Sequence, residues 1–145
     1  MKRLVIATAM LALTAGFAAA EDRVAATMFK NPGCMCCDRY ADYLRANGFD
    51  VAVLENPNMT AIKQSHGVRE DLEGCHTMIV GGYVVEGHVP VGPIKRLLTE
   101  KPAIKGISLP GMPEGSPGMS GDKEEPFTIY SITGENGDAP VYAKE

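Results

Sequence analysis

The chain has 145 residues, 45% of them hydrophobic, with 14 basic and 18 acidic side chains and a net charge of −4. Such a composition belongs to a globular protein with room for one compact core rather than two. The acidic balance argues against a nucleic-acid partner and suits a protein that meets soluble metal cations or neutral surfaces.

Lys2 and Arg3 precede a mostly apolar run from Leu4 to Phe17, and Ala18-Ala19-Ala20 follows before Glu21. A basic start, a short apolar core and an A-x-A site predict a secretory signal peptide over 1–20, cut after Ala20. The run is too short to span a bilayer, so no membrane insertion is expected after cleavage. The leader holds two of the 14 basic residues and no acid. That leaves 12 basic against 18 acidic residues, net −6, in a single domain over 21–145. The compartment this suggests is the bacterial periplasm.

Val24 to Phe29 reads as a strand, bounded by the turn residues Asn31-Pro32-Gly33. A helical pattern runs from Cys37 to Asn47, with Tyr40, Tyr43 and Leu44 at spacings of three and four and Gly48 as its stop. Asp50 to Leu54 is a second strand. Asn58 caps a short helix through Ile62 that ends near Gly67. Met78-Ile79-Val80 and Tyr83-Val84-Val85, separated by Gly81-Gly82, predict a hairpin. A further helix, marked by Ile94, Leu97 and Leu98, is expected to open at Pro93 and stop at Pro102. This order is the thioredoxin plan: an α/β fold with a mixed sheet flanked by helices, occupying 21–102. Residues 103–145 form an extension, first an irregular loop from Leu109 to Met119, then strands at Phe127–Ile132 and Val141-Tyr142.

All four cysteines lie in two stretches, Cys34-Met35-Cys36-Cys37 and Cys75-His76. In an exported protein an even cysteine count suggests structural disulfides. Staples usually tie distant segments, however, and adjacent Cys36 and Cys37 bridge each other only with strain. The clustering reads as a site. Cys34 and Cys37 share one side of a helical first turn, where the helix N-terminus favours thiolates. Such a pair suits disulfide exchange or a thiophilic metal, and a third thiol inside the motif favours the metal.

If Gly81 and Gly82 are the hairpin loop, Val80 faces Tyr83, Met78 faces Val85, and Cys75 lies across from His88, roughly 5 Å apart at Cβ. Cys34, Cys36, Cys37, Cys75 and His88 then converge as metal ligands. His76, by alternation, points to the opposite face and is a secondary candidate; it stands where thioredoxins and glutaredoxins keep a cis-proline. Sulfur and imidazole donors suit Cu(I), with zinc the rival, and more than four donors fit a bridged cluster of several copper ions better than one tetrahedral zinc. Met35, Met78, Met112 and Met119 are further soft donors, although Met78 reads as core and the last two as loop. Alone, Cys75 reads as a small buried residue, His88 as a hydrogen-bonded edge residue and His66 as a helix-end charge. Cys34–Cys37 as a plain disulfide is the bland alternative.

Cys34-Met-Cys-Cys37, Cys75-His-Thr77, the stretch from Gly81 to Pro90 and Pro110 to Met119 together resemble the CopG-type bacterial copper-resistance proteins. The resemblance spans nearly all of 21–145. It implies a thioredoxin-like fold, a periplasmic location, a cysteine-bridged copper cluster and a role in copper detoxification by interconverting Cu(I) and Cu(II) for other copper-handling proteins. A thiol–disulfide oxidoreductase using Cys34 and Cys37 and a copper chaperone are the alternatives.

Overall fold

The structure is a computed structural model that describes residues 23–135 and 137–145. The expected signal peptide over 1–20 lies outside the described residues. Among those that are described, no helix is long and apolar enough to cross a membrane.

Seven strands form one mixed sheet in the order β2-β1-β3-β4-β5-β6-β7. The chain starts with β1 (Val24–Lys30), α1 (Met35–Ala46) and β2 (Phe49–Glu55), and β2 lies parallel to β1. Helix α2 (Met59–Ser65) follows, with the Asn58 side chain accepting from the Ala61 N–H at 3.2 Å as its N-cap. That bond satisfies one of the donors a helix start leaves free. The hairpin strands β3 (His76–Val80) and β4 (Tyr83–Glu86) pair with Val80 opposite Tyr83 and Met78 opposite Val85, the register set by the Gly81-Gly82 turn. Both glycines have positive φ, +57° and +84°, which suits them to a tight two-residue connection.

Two helices begin earlier than their sequence signals. Helix α1 starts at Met35 rather than Cys37, because Cys34 already serves as its N-cap residue and accepts from the Asp38 N–H at 3.3 Å. Helix α3 (Val91–Glu100) starts ahead of Pro93. Proline in the first turn lacks only an N–H that the helix does not use, so it marks the opening turn and not the opening residue.

The extension continues the same sheet. A strand absent from the sequence reading, β5 (Gly106–Ser108), runs parallel to β4, and β6 (Thr128–Ile132) and β7 (Val141–Lys144) add antiparallel beyond it. Gly106 has no side chain to spare: a Cβ there would lie 1.9 Å from the Val84 carbonyl oxygen.

Helices α1 and α3 cover one face. Tyr40, Ala41 and Leu44 of α1 and Ile94 and Leu97 of α3 join Met28, Met78, Val85, Ile107 and Ile129 in the main core. A smaller cluster of Val68, Leu72, Val84 and Ile132 fills part of the remainder. With period-two alternation, Thr77 and Glu86 fall on the face away from Met78 and Val85, and there they meet Lys63 of α2.

Candidate metal centre

The turn at Asn31-Pro32-Gly33 delivers the chain straight into α1, with the Cys34 N–H donating to the Asn31 carbonyl at 3.2 Å and Gly33 at φ +75°. Cys34 therefore caps the helix, Cys36 and Cys37 fall in its first turn, and the intervening Met35 points outward, 71% exposed. Cys37 is buried, whereas Cys34, Cys36 and Cys75 are half-buried.

Cys75 comes from the other end of the molecule's sequence logic, the residue just before β3, and its sulfur lies at the middle of the group. Its Sγ is 3.2 Å from Cys34, 3.4 Å from Cys36 and 3.3 Å from Cys37. Cys34 and Cys36 are 3.4 Å apart, and Cys34 and Cys37 are joined as a disulfide. All four sulfurs lie within 4.8 Å of one another, a group able to hold a metal ion. Burial, with Cys36 beside it, pushes the Cys75 thiol up to about 12; the Lys63 charge pulls the other way.

The fifth expected ligand has a different neighbourhood. The β3–β4 ladder ends at Thr77 opposite Glu86, and no Cys75–His88 pair extends it. The Gly87 N–H still donates to the His76 carbonyl at 3.0 Å, but Gly87 has φ +73°, which breaks the alternation before His88. His88 is thereby turned to the side of His76. The two imidazoles lie 4.9 Å apart edge to face, and the Tyr40 ring of α1 sits 4.6 Å from His76 and 5.1 Å from His88. The expectation that His76 points away from this side is corrected. It shares the parity of Met78 and Val80, the strand residues that face α1.

Both histidines are fully buried. His88 Nδ1 is 2.7 Å from the Pro117 carbonyl, so that nitrogen donates and Nε2 keeps a lone pair. His88 Nε2 and both ring nitrogens of His76 have no hydrogen-bond partner among the described residues. Burial holds the His76 pKa well below 6.5, helped by His88 and Lys63, and lowers that of His88 as well. Both rings are therefore neutral near pH 7, the form that ligates metals.

Two features were not found from the sequence. The first is a strap. The 109–119 loop crosses the start of α1, where Arg39 Nε donates to the Gly118 carbonyl at 2.8 Å and Pro117 meets His88. A Cβ on Gly118 would sit 2.8 Å from the Cys36 carbonyl oxygen and from the Tyr40 nitrogen. The glycine signal was there, at Gly118, but the partner helix was not visible. The second is the buried pair Lys63–Glu86 with Thr77. A lone acid ending the apolar run Val84-Val85 was its trace.

Residues 72–119 match a family model described as a protein of unknown function, DUF411. The match takes in Cys75, both buried histidines and the strap, and leaves out the cysteines of α1. Comparison with curated protein sequences returns no match. Two solved structures, copper resistance protein CopG in forms 2 and 1, are similar to this chain at 36% identity with TM-scores of 0.77 and 0.76. Each alignment covers 85% of this chain and 98% of the solved one. That identity extends over essentially the whole of both solved chains, and so the protein belongs to the CopG family of copper resistance proteins.

Proposed function

We propose that this protein holds copper as Cu(I) in a cluster bridged by Cys34, Cys36, Cys37 and Cys75, with His88 in a terminal position. The observation that carries the reading is the convergence of all four sulfurs within 4.8 Å from two segments forty residues apart in sequence. Soft thiolates with imidazole suit Cu(I) and admit several bridged ions. The partnerless nitrogens of His88 and His76 lend further support, since buried polar atoms normally find a partner. His76 thus joins the candidates on which the proposal draws.

Loading follows from the state of the sulfurs. The Cys34–Cys37 disulfide must first accept two electrons and two protons to become two thiols. Each thiol then loses its proton as it binds metal, so loading releases protons and weakens in acid.

The setting we infer is the periplasm after removal of residues 1–20, with the β2-β1-β3-β4 half of the sheet as a thioredoxin-like core. The role is copper resistance through sequestration, and through Cu(I)/Cu(II) interconversion in which one electron per ion is exchanged with other copper-handling proteins. CopG structures described as copper resistance proteins support it. Reduced protein incubated with Cu(I) and desalted should retain more than one copper per chain. Less than one overturns the proposal.

A second reading is favoured by one observation: the Cys34–Cys37 pair is closed, with the Cys75 sulfur in contact with both members. That arrangement also fits a thiol–disulfide oxidoreductase. Turnover of insulin disulfides by metal-free protein, with no copper retained, is the result that selects it.

A further inference from the structure

The sulfur group depends on Cys75 being held in place, yet nothing in the sheet ladder holds it. β3 begins one residue later, at His76. The fixing is done one residue earlier, at Gly74. The Glu86 carboxylate accepts from the Gly74 N–H at 2.8 Å, and Lys63 Nζ donates to the Gly74 carbonyl at 3.1 Å. Lys63 and Glu86 are themselves ion-paired, and Thr77 joins them, donating to Glu86 at 2.7 Å and lying 3.4 Å from Lys63 Nζ. Lys63, Thr77 and Glu86 are all buried. One side-chain pair thus takes both backbone polar atoms of the residue that leads into Cys75.

We infer that the buried Lys63–Glu86 pair is a clamp that sets the position of Cys75, making both of them positioning residues of the sulfur site. The inference rests on the copper reading of that site for its purpose, not for its geometry. A buried ion pair is weak support for stability, since well-packed apolar residues of equal volume often do as well or better. What the pair supplies here is direction: two charge-assisted contacts, one on each of the peptide units that flank the Gly74 Cα. The backbone around it is built to the same end. A Cβ on Gly74 would lie 2.5 Å from the Gly87 Cα, and the Gly111 N–H donates to the Glu73 carbonyl at 2.8 Å. Gly74 is pressed between the hairpin exit and the strap, and the clamp locks it there. Lys63 comes from α2 on the face of the sheet away from α1, so the Cys75 sulfur is aimed from behind.

The test uses metal-free protein with the Cys34–Cys37 disulfide closed, treated with iodoacetamide while adducts at Cys36 and Cys75 are followed separately by mass spectrometry. The variant Lys63→Met/Glu86→Leu removes one charge of each sign and leaves none stranded. Cys75 should react faster by about tenfold or more, the size expected when charge-assisted bonds holding a segment closed are lost. Cys36, carried by α1, should react at its wild-type rate. A Cys75-to-Cys36 ratio equal to that of the wild type overturns the clamp, whether neither rate changes or both rise together as they would through general unfolding. Glu86→Gln, which keeps the side-chain shape, gives the same reading should the double variant not fold. Cu(I) retention by the reduced wild type is measured alongside. A wild type that retains none overturns the copper reading while the alkylation ratio still decides the clamp. A wild type that loads, with clamp variants that lose at least one copper per chain, supports both.

Discussion

Acidifying the metal-free protein from pH 7 to pH 5 tests the burial of the two imidazoles. In the unfolded chain each histidine takes a proton near pH 6.5; in the folded protein burial lowers both, His76 strongly. The groups facing them add to the effect. Lys63 and His88 oppose a charge on His76, and Arg39 opposes one on His88, while the Pro117 carbonyl alone favours it. The unfolded state therefore binds more protons than the folded one below pH 6.5. Stability from these groups is complete above 6.5 and falls as pH drops toward the folded values. One proton is worth ~1.4 kcal/mol per pH unit, so His76 alone removes about 2 kcal/mol by pH 5, and His88 brings the total to ~4 kcal/mol at most. Glu86 works in the opposite sense, because burial raises its pKa above 4.5 and protonation then favours the folded state. The comparison is therefore made with His76→Leu, which removes one histidine and leaves Glu86 in place. Urea midpoints at pH 7, 6 and 5 give the slopes. The wild type should lose stability with acid, and the variant should lose about 2 kcal/mol less over the range. Parallel slopes for the two proteins would refute a buried, neutral His76.

Three further outcomes are expected. Cys75 touches all three other sulfurs and Cys36 only two, so Cys75→Ser should lose at least one copper per chain and more than Cys36→Ser loses; metal analysis after Cu(I) loading decides it. Gly118→Ala meets backbone of α1 at 2.8 Å with φ +85°, whereas Gly111→Ala at φ +71° has open space. Thermal unfolding should show the first costing about 2–4 kcal/mol and the second only ~1 kcal/mol, the conformational share. Expressed with residues 1–20, the protein should be recovered from the bacterial periplasm with Glu21 as its first residue; N-terminal sequencing that finds Met1 counts against the leader.

The sequence made the hairpin legible because a Gly-Gly turn leaves one register, and Val80 opposite Tyr83 follows from it. The same extrapolation held to Thr77 opposite Glu86 and failed at Cys75 and His88, five residues out from Val80 and Tyr83. Counting pairs outward to Cys75 and His88 assumes that the strands stay extended, and Gly87 at φ +73° ends that. A positive φ is invisible in a glycine's letter, which permits the conformation without requiring it. His76 was misplaced for the same reason: its side was judged from Cys75, which is not in the strand, instead of from Met78, which is. β5 went unseen because Gly106-Ile107-Ser108 is too short to alternate, and it becomes a strand only through β4 and β6 on either side. The four sulfurs were legible for the opposite reason, since their chemistry needs no register to be noticed. Lys63 and Glu86 could not be matched from the sequence, because twenty-three residues and a whole hairpin strand separate two charges that meet only in the core.

The two buried imidazoles, which pack on Tyr40 of the helix that carries Cys36 and Cys37, bear on which of the two functional readings is stronger. A disulfide-exchange site needs a nucleophile, a resolving thiol and access; an imidazole helps it only as a cation beside the thiolate, and burial disfavours that charge on both rings here. Here three imidazole nitrogens are buried without partners, each at a cost of about 1–3 kcal/mol if left so. Tyr40, whose ring packs on both imidazoles, donates its hydroxyl to the Val89 carbonyl at 2.8 Å and leaves them unserved. Cys75, for its part, has a thiol pushed up to about 12, so near neutral pH it keeps its proton until a metal displaces it. Imidazole nitrogens kept neutral, buried and without partners are donors that an ion such as Cu(I) would repay and that disulfide exchange would leave unused.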